Sequence, residues 1–433
     1  MTLTVDSAIS RIGELLTREH VSRFDPYIKW VRHPLAVLTL ALVAATLCGF
    51  YLHPRALVLA AALAAVLAGG TIWPWLTMRG LSGTVRFARG RIREGESVIA
   101  HLAVRNRMPW AAWGLSVRGD SSAEDSASSS GMAFAAGWHL TEARWELIPR
   151  HRGEYPGEAV RIASAFPFGL WEASQPLAVP ARLLVWPRTF PVGPIPEAAT
   201  GLEGEGLAYR DKAGTTGDLL GVRPYRQGDS LRRVHWGQSV RYGHLIVCEV
   251  EEQAIPRVQI VLDTHPEGHT SSGPDGSLEW AIRLAASFAE GWIGQGAEVE
   301  VVHGDRSVAT TTGPVKTRQA RILDALARLQ FDHRLPLAAV LDRPICRRFS
   351  DGLRLVIATD RVLRDLPPEA GLARDERYVI LSAVGFAGPS DRSRTRTGQG
   401  GQPLPGRPSI WIDDPSDAPG AVRRGWREVS LDR

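Results

Sequence analysis

Cysteine is scarce. Cys48, Cys248 and Cys346 stand far apart, so the chain offers neither a disulfide framework nor a CxxC metal or redox pair. A reducing compartment is expected for the soluble part. Net charge is also small. There are 51 Lys plus Arg against 46 Asp plus Glu, a balance of +5 over 433 residues, too weak for a protein dedicated to coating nucleic acid. Internal repeats are not visible. The P-loop pattern GxxxxGK is missing, and the dinucleotide pattern GxGxxG stops short at Gly204-Glu205-Gly206. HExxH and the GxSxG nucleophile elbow are missing too. These absences exclude the standard signatures of nucleotide binding, zinc proteolysis and α/β-hydrolase chemistry.

What is present supports real cores. Hydrophobic residues make up 44% and charged residues 22%, a globular composition, and the length fits two or three domains. Two long apolar runs come first. Residues 35–52 and 56–76 carry no charge and are separated by His53-Pro54-Arg55. Each approaches the roughly 20 residues a helix needs to cross a bilayer core. Trp73 and Trp75 fall where an aromatic belt would lie. Arg11, Arg18, Arg23, Lys29 and Arg32 precede the first run, and Arg79, Arg86, Arg89, Arg91 and Arg93 follow the second. The positive-inside rule then puts both termini in the cytoplasm and predicts a multi-pass inner-membrane protein whose basic flanks meet anionic lipid. Ile9, Ile12, Leu15 and Leu16 at helical spacing predict an interfacial helix.

From Leu81 to Trp186 the pattern shortens to alternating runs, GTVRFARG, SVIAHLAVRN, GLSVRG, ARWELIP, EAVRIAS and RLLVWP. Strands of this length and spacing predict a small β-sandwich. The motifs RHRGEY (150–155) and FPFGL (166–170) read as turns, with Gly153 and Gly169 bending the chain and the aromatics entering a core.

Residues 221–250 are dense in Arg, His, Trp, Asp and Gly. Arg223, Tyr225, Asp229, Arg232, His235, Trp236, Ser239 and Arg241 are the candidate binding residues. Such side chains can dock an anion or a partner, or can form an Asp229–arginine network that pins the segment in place. Asp229, His235 and Ser239 have the residue types of a catalytic triad but lack its sequence context. No catalytic residue is assigned.

Beyond Pro256, strand-like runs alternate with helix-like ones. Residues 257–264 end at Asp263, and Leu353–Ala358 ends near Asp360. The alternation predicts an open α/β sheet. Residues 385–408, rich in Gly, Ser, Arg and Pro, read as a flexible insertion, with Ile410–Ile412 returning as an edge strand.

The hairpin, RHRGEY, FPFGL and above all the signature stretch resemble the bacterial family known as domain of unknown function 58. Within that stretch Arg223, Tyr225, Gly228-Asp229, Arg232, His235-Trp236, Ser239, Arg241 and Leu245 fall on the family pattern, and the likeness runs over roughly residues 34–384. Phe166 departs from it, standing where the family usually has Asp. The resemblance implies a membrane anchor, a von Willebrand factor A-like domain and association with a MoxR-type AAA+ ATPase. Such A domains hold Mg²⁺ through DxSxS, a Thr and a later Asp. Asp263 and Asp360 match the two carboxylates, but His265 and Glu267 replace the serines. Asp263, Glu267 and Asp360 therefore form a degenerate set, and no cofactor is expected beyond Mg²⁺ as an alternative.

The expected division is a basic segment 1–33, a transmembrane hairpin 34–78, a β-sandwich-like domain 79–195, a signature linker 196–256 and a von Willebrand A-like domain 257–433. The expected function is a non-enzymatic, membrane-anchored partner or adaptor of a MoxR-type AAA+ ATPase in assembly or remodelling of complexes or the envelope. Nucleic acid is not an expected partner. The alternatives are a membrane-bound hydrolase of envelope metabolism and a Mg²⁺-dependent ligand-binding A-type domain.

Overall fold

A computed structural model describes residues 34–119, 130–196, 219–250, 255–270, 273, 275–310, 312–349, 352–365, 375–387 and 409–431. The interfacial helix over 7–19, the basic residues before the first apolar run and most of the insertion (388–408) lie outside them. The first two elements are helices, α1 (Pro34–Tyr51) and α2 (Ala56–Arg79). Both are long and apolar enough to cross a membrane. Their large apolar side chains, Leu40, Phe50 and Val58 among them, stay exposed.

Ten short strands follow: β1 (Leu81–Phe87), β2 (Arg91–Arg93), β3 (Val98–Asn106), β4 (Ala112–Arg118), β5 (Ser130–Ala135), β6 (Leu140–Leu147), β7 (Gly153–Tyr155), β8 (Arg161–Ser164), β9 (Ala173–Pro176) and β10 (Leu183–Trp186). All six runs read as strands from the sequence contain one. A hairpin module comes next, with β11 (Leu219–Pro224), α3 (Trp236–Tyr242) and β12 (Ile246–Val250). The last part holds β13 (Arg257–Leu262), α4 (Ser277–Gly294), β14 (Glu298–His303), β15 (Arg306–Thr310), α5 (Val315–Arg328), α6 (Leu337–Leu341), α7 (Pro344–Arg347), β16 (Leu353–Thr359), β17 (Asp375–Leu381), β18 (Ser409–Ile412) and α8 (Ala418–Leu431).

These elements form two compact units that share the chain in alternation. The first takes the described residues up to Gly90, with Ser97–Leu147 and Tyr155–Leu183. The second takes Arg91–Glu96, Ile148–Glu154 and the chain from Leu184 onward.

In the first unit, two antiparallel sheets, β1-β3-β6 and β5-β4-β8-β9, bury one apolar cluster. Leu102 and Val104 of β3 meet Leu115 and Val117 of β4 and Ile162 of β8 in it. The period-2 alternation of β3, with Val98, Ala100, Leu102 and Val104 inward, is what one buried sheet face requires. Helix α2 belongs to this unit. Only Gly80 separates it from β1, and Met78 joins the cluster.

In the second unit, six strands run in the order β15-β14-β13-β16-β17-β18. All neighbours are parallel except β14 and β15. Central strands buried on both faces need near-continuous apolar sequence, and β16 is buried at every residue. Phe288 and Trp292 of α4 pack on Trp426 of α8, with ring centroids 4.8–5.4 Å apart. Phe386, inside the stretch read as flexible, is buried in this core against Trp280, so Gly385–Ala387 belong to the packed domain.

The second unit also owns the small sheet β2-β10-β7, and arginine–carboxylate contacts bind it to α4 and α5. Glu94 lies at the centre. One of its oxygens accepts from the Arg283 guanidinium at 2.9 Å and from the Arg188 amide at 3.1 Å; the other accepts from the Arg152 amide at 2.9 Å. Both side chains of the Glu94–Arg283 pair are almost fully buried. Arg152, from RHRGEY, donates to the Leu326 carbonyl at 3.1 Å and also reaches the Leu329 carbonyl and Glu279. The turn motif is thus a docking residue on a bent backbone, with Gly153 at a φ of 130°. Arg93 pairs with Glu290, and Asp324 accepts from Arg91 and from the Trp186 indole. A buried charge left without its partner is costly. Glu94→Ala is therefore expected to lower stability by about 3 kcal/mol or more, read as thermal unfolding in detergent. A loss close to zero would show that the pair carries no weight.

Candidate functional site

The signature residues come together in one module. β11 and β12 pair antiparallel, and the turn between them carries α3. Gly228, at a φ of 110°, makes the bend that brings Asp229 back onto β11. Its two carboxylate oxygens receive Arg223 in a fork at 2.7 and 2.8 Å, and the Arg226 amide adds a third bond at 2.8 Å. These donors hold the Asp229 carboxyl well below its usual range, at about 2. The Tyr225 amide donates to the Leu245 carbonyl at 2.8 Å. His235 caps α3, its Nδ1 accepting from the Gln238 amide at 3.3 Å. Ser239, buried, donates to the His235 carbonyl at 3.0 Å and accepts from the Ile246 amide at 2.9 Å. Gly243 ends the helix in the left-handed region, as a C-terminal cap requires.

The predicted residues therefore divide. Arg223, Asp229, His235 and Ser239 build the module. The hydroxyl of Ser239 does not bond the imidazole of His235, and Asp229 is engaged by arginine, so the triad types are present without a triad. Arg232, Trp236 and Arg241 are exposed, and Tyr225 is half-buried. Trp236 is 63% exposed and Val240, one turn on, 83%; Leu231 and Tyr242 are exposed beside them. Sequence reading missed Leu231, Val240 and Tyr242. Nothing in their residue types marks them, since an apolar residue in a short helix ordinarily faces inward.

The second candidate place is the carboxyl edge of the sheet between β13 and β16, where the strand order reverses and open α/β sheets bind ligands. Asp263 follows β13 and is 1% exposed. Its Oδ1 accepts from the His265 amide at 3.0 Å, and its Oδ2 is buried without a hydrogen-bond partner. His269 lies 3.9 Å from that oxygen, with Nε2 3.0 Å from the Asp263 carbonyl and Nδ1 2.9 Å from Ser277 Oγ. Burial pushes the Asp263 carboxyl up and the His269 imidazole down, so both favour their neutral forms. Gly268 closes the pocket: a Cβ there would fall 2.3 Å from Asp263 Oδ2 and 2.6 Å from Val362 Cγ2.

Glu267 is exposed, and Asp360 accepts from the Ala383 amide at 2.8 Å. Among the described residues no group of three or more His, Cys, Asp and Glu gathers as a metal site. A hard cation needs several converging oxygens. Here the orphan oxygen meets Gly268 and an imidazole, so these residues do not fit Mg²⁺.

An arginine-rich hairpin precedes an α/β sheet whose switch point is closed by its own side chains. Residues 221–348 match the family model described as Protein of unknown function DUF58, which supports the likeness to that family over this part of the chain. No curated protein matches the chain. Solved structures with some likeness include a CARDB domain from Pyrococcus furiosus, at 10% identity over 23% of this chain and 94% of that one, with a TM-score of 0.15. A β-glucosidase from Erythrobacter marinus shares 18% over 23% of this chain and 15% of its own, at 0.14. An alkylpurine DNA glycosylase from Pseudomonas fluorescens shares 14% over 34% and 44%, at 0.16. Scores this low assign neither fold nor function.

Two outcomes are expected. The Asp229 carboxyl, followed by NMR, titrates near pH 2. Because this pKa is lowered on folding, the Arg223–Asp229 contribution is complete above about pH 4 and is lost as pH falls through about 2; in Asp229→Asn that acid dependence disappears. Asp263 behaves oppositely. Its pKa is raised, so the folded protein loses stability as pH rises above the unfolded value of about 4. Asp263→Asn should stabilise the domain at neutral pH, by about 1–3 kcal/mol, with a larger gain at pH 8 than at pH 5. Destabilisation at pH 8 would show that the carboxylate is compensated there.

Proposed function

We propose that the chain is a membrane-anchored interaction protein without enzymatic activity. The observation that carries this reading is the pair of apolar helices α1 and α2, charged only at the terminal Arg79, which keep their apolar side chains exposed. At 18 and 24 residues they fall within the roughly 17–25 residues that spanning helices use. They form the multi-pass anchor in the inner membrane, with both termini cytoplasmic. The first unit is a β-sandwich, supported by its two sheets around one cluster. The second is a von Willebrand A-like domain. Its strand order, with the last strand of the first half antiparallel at the edge, supports that assignment.

Binding falls to the exposed side of the hairpin module. Leu231, Trp236, Val240 and Tyr242 supply apolar area, and Arg232 and Arg241 supply charge. A buried aromatic anchor with arginines at its rim is what a protein interface needs. Following the family resemblance, the partner is a MoxR-type AAA+ ATPase, which the protein recruits for assembly or remodelling of other complexes. The hydrolase alternative is disfavoured because Asp229, His235 and Ser239 direct their hydrogen bonds within the module. The A-type ligand-binding alternative is disfavoured by the donor set around Asp263.

Affinity capture of the detergent-solubilised protein from native membranes, with a slowly hydrolysed ATP analogue, is expected to recover an AAA+ ATPase. Trp236→Ala with Val240→Asp should reduce that recovery by tenfold or more, taking each lost anchor as about 1–2 kcal/mol. Recovery unchanged in the double variant would move the interface elsewhere. Failure to recover any ATPase from wild type would remove the partner.

A further inference from the structure

The aromatic-proline loop between β8 and β9 packs on helix α2. A Cβ on Gly70 would fall 2.6 Å from Leu170 Cδ1, and one on Gly69 would fall 3.6 Å from the Phe168 ring. The glycine pair in this helix thus opens the groove that receives the loop. A second loop grips the same helix nearer its end. The Trp110 ring lies 5.7 Å from that of Trp73, and a Cβ on Gly80 would meet Met108 at 2.2 Å. Asn106, buried, holds this second loop through the Trp110 carbonyl at 2.8 Å and the Met108 amide at 2.9 Å. The first unit is therefore rigidly fixed to α2 at two heights.

Those heights matter. Arg79 stacks over Trp75 at 3.8 Å, a pairing suited to the head-group level. Gly69 lies six residues earlier, roughly 9 Å further along the axis toward the bilayer centre. The loop that packs there leaves Phe168 and Trp171 each 53% exposed. Beside it, Trp113 and Phe134 form a cross-strand pair at 5.2 Å, with Phe166 at 6.4 Å from Trp113; all three are exposed. An aromatic patch of this extent is not left to water without a purpose. The adjacent Glu172 carboxylate is paired with Arg118 at 2.7 Å, so the charge next to the patch is balanced.

We propose that the loop Phe166–Trp171, with Trp113 and Phe134, is a shelf immersed in the leaflet that surrounds the end of α2. Its ligand is the boundary between lipid head groups and acyl chains. The inference rests on α2 crossing the membrane.

The test uses the full chain in phosphatidylcholine vesicles whose acyl chains carry bromine, a contact quencher of tryptophan. Subtracting the emission of Trp171→Phe from wild type isolates Trp171, and Trp73→Phe isolates Trp73 in the same way. Both replacements keep an aromatic ring at a partly exposed position. The expected result is quenching of Trp171 comparable to that of Trp73, with iodide in the buffer quenching neither. Quenching of Trp73 but not of Trp171 would overturn the shelf while leaving the anchor intact; a shelf covered by another protein gives this outcome. If bromine leaves Trp73 unquenched, α2 does not lie in the bilayer, and the anchor and the shelf fall together.

Discussion

One buried ion pair ties β2 to α4 in the second unit. Glu94 and Arg283 come from segments far apart in sequence, and both are removed from water. Removing such charges from solvent is unfavourable unless every donor and acceptor is matched. The carboxylate meets this condition by also accepting two backbone amides, from Arg152 and Arg188. One residue thereby fixes three separate pieces of chain on α4. Around it, Arg152, Arg93 and Arg91 repeat the same chemistry less deeply. The small sheet β2-β10-β7 buries Ile92 and Leu183–Val185 and packs Trp186 on the main core, and the guanidinium contacts add direction to that burial.

Some of this was legible in the sequence. The two helices follow from uncharged runs of bilayer length. Periodicity located β3, β8, β10, β13 and β16 within a few residues. β15 escaped because Arg306–Thr310 is a short, mostly exposed edge strand with no apolar alternation. β2 and β7 escaped because each is three residues long. The charged clamp escaped for another reason. A motif such as RHRGEY announces a turn, but its guanidinium is useful only against carbonyls and carboxylates that the fold brings from elsewhere.

The site shows the same division. The density of Arg, Asp and His in residues 221–250 marked the segment that folds as the hairpin module. The residue types alone could not assign roles, because Asp229 beside arginine reads equally as a dock or as a brace. Distances decided it: the polar residues hold the hairpin, and the apolar ones between them are left facing solvent. At the sheet edge, the sequence marked Asp263 and Asp360 as the carboxylates to inspect. What the sequence did not show is how that edge is filled. Gly268 and His269 close over Asp263, turning a ligand-facing position into a sealed one.

The alternation of the chain between its two units governs the order in which the protein can be made. Glu94 leaves the ribosome 189 residues ahead of Arg283. At 5–20 residues per second that is roughly 10–40 s of synthesis. By the end of that interval α1, α2 and both sheets of the first unit, which closes at Leu183, are outside the ribosome and free to fold. In the second unit β2 can pair with β10 once Trp186 has emerged, but Glu94 must wait for α4. A nascent chain stalled before α4 would therefore carry a complete first unit with its α/β sheet unmade.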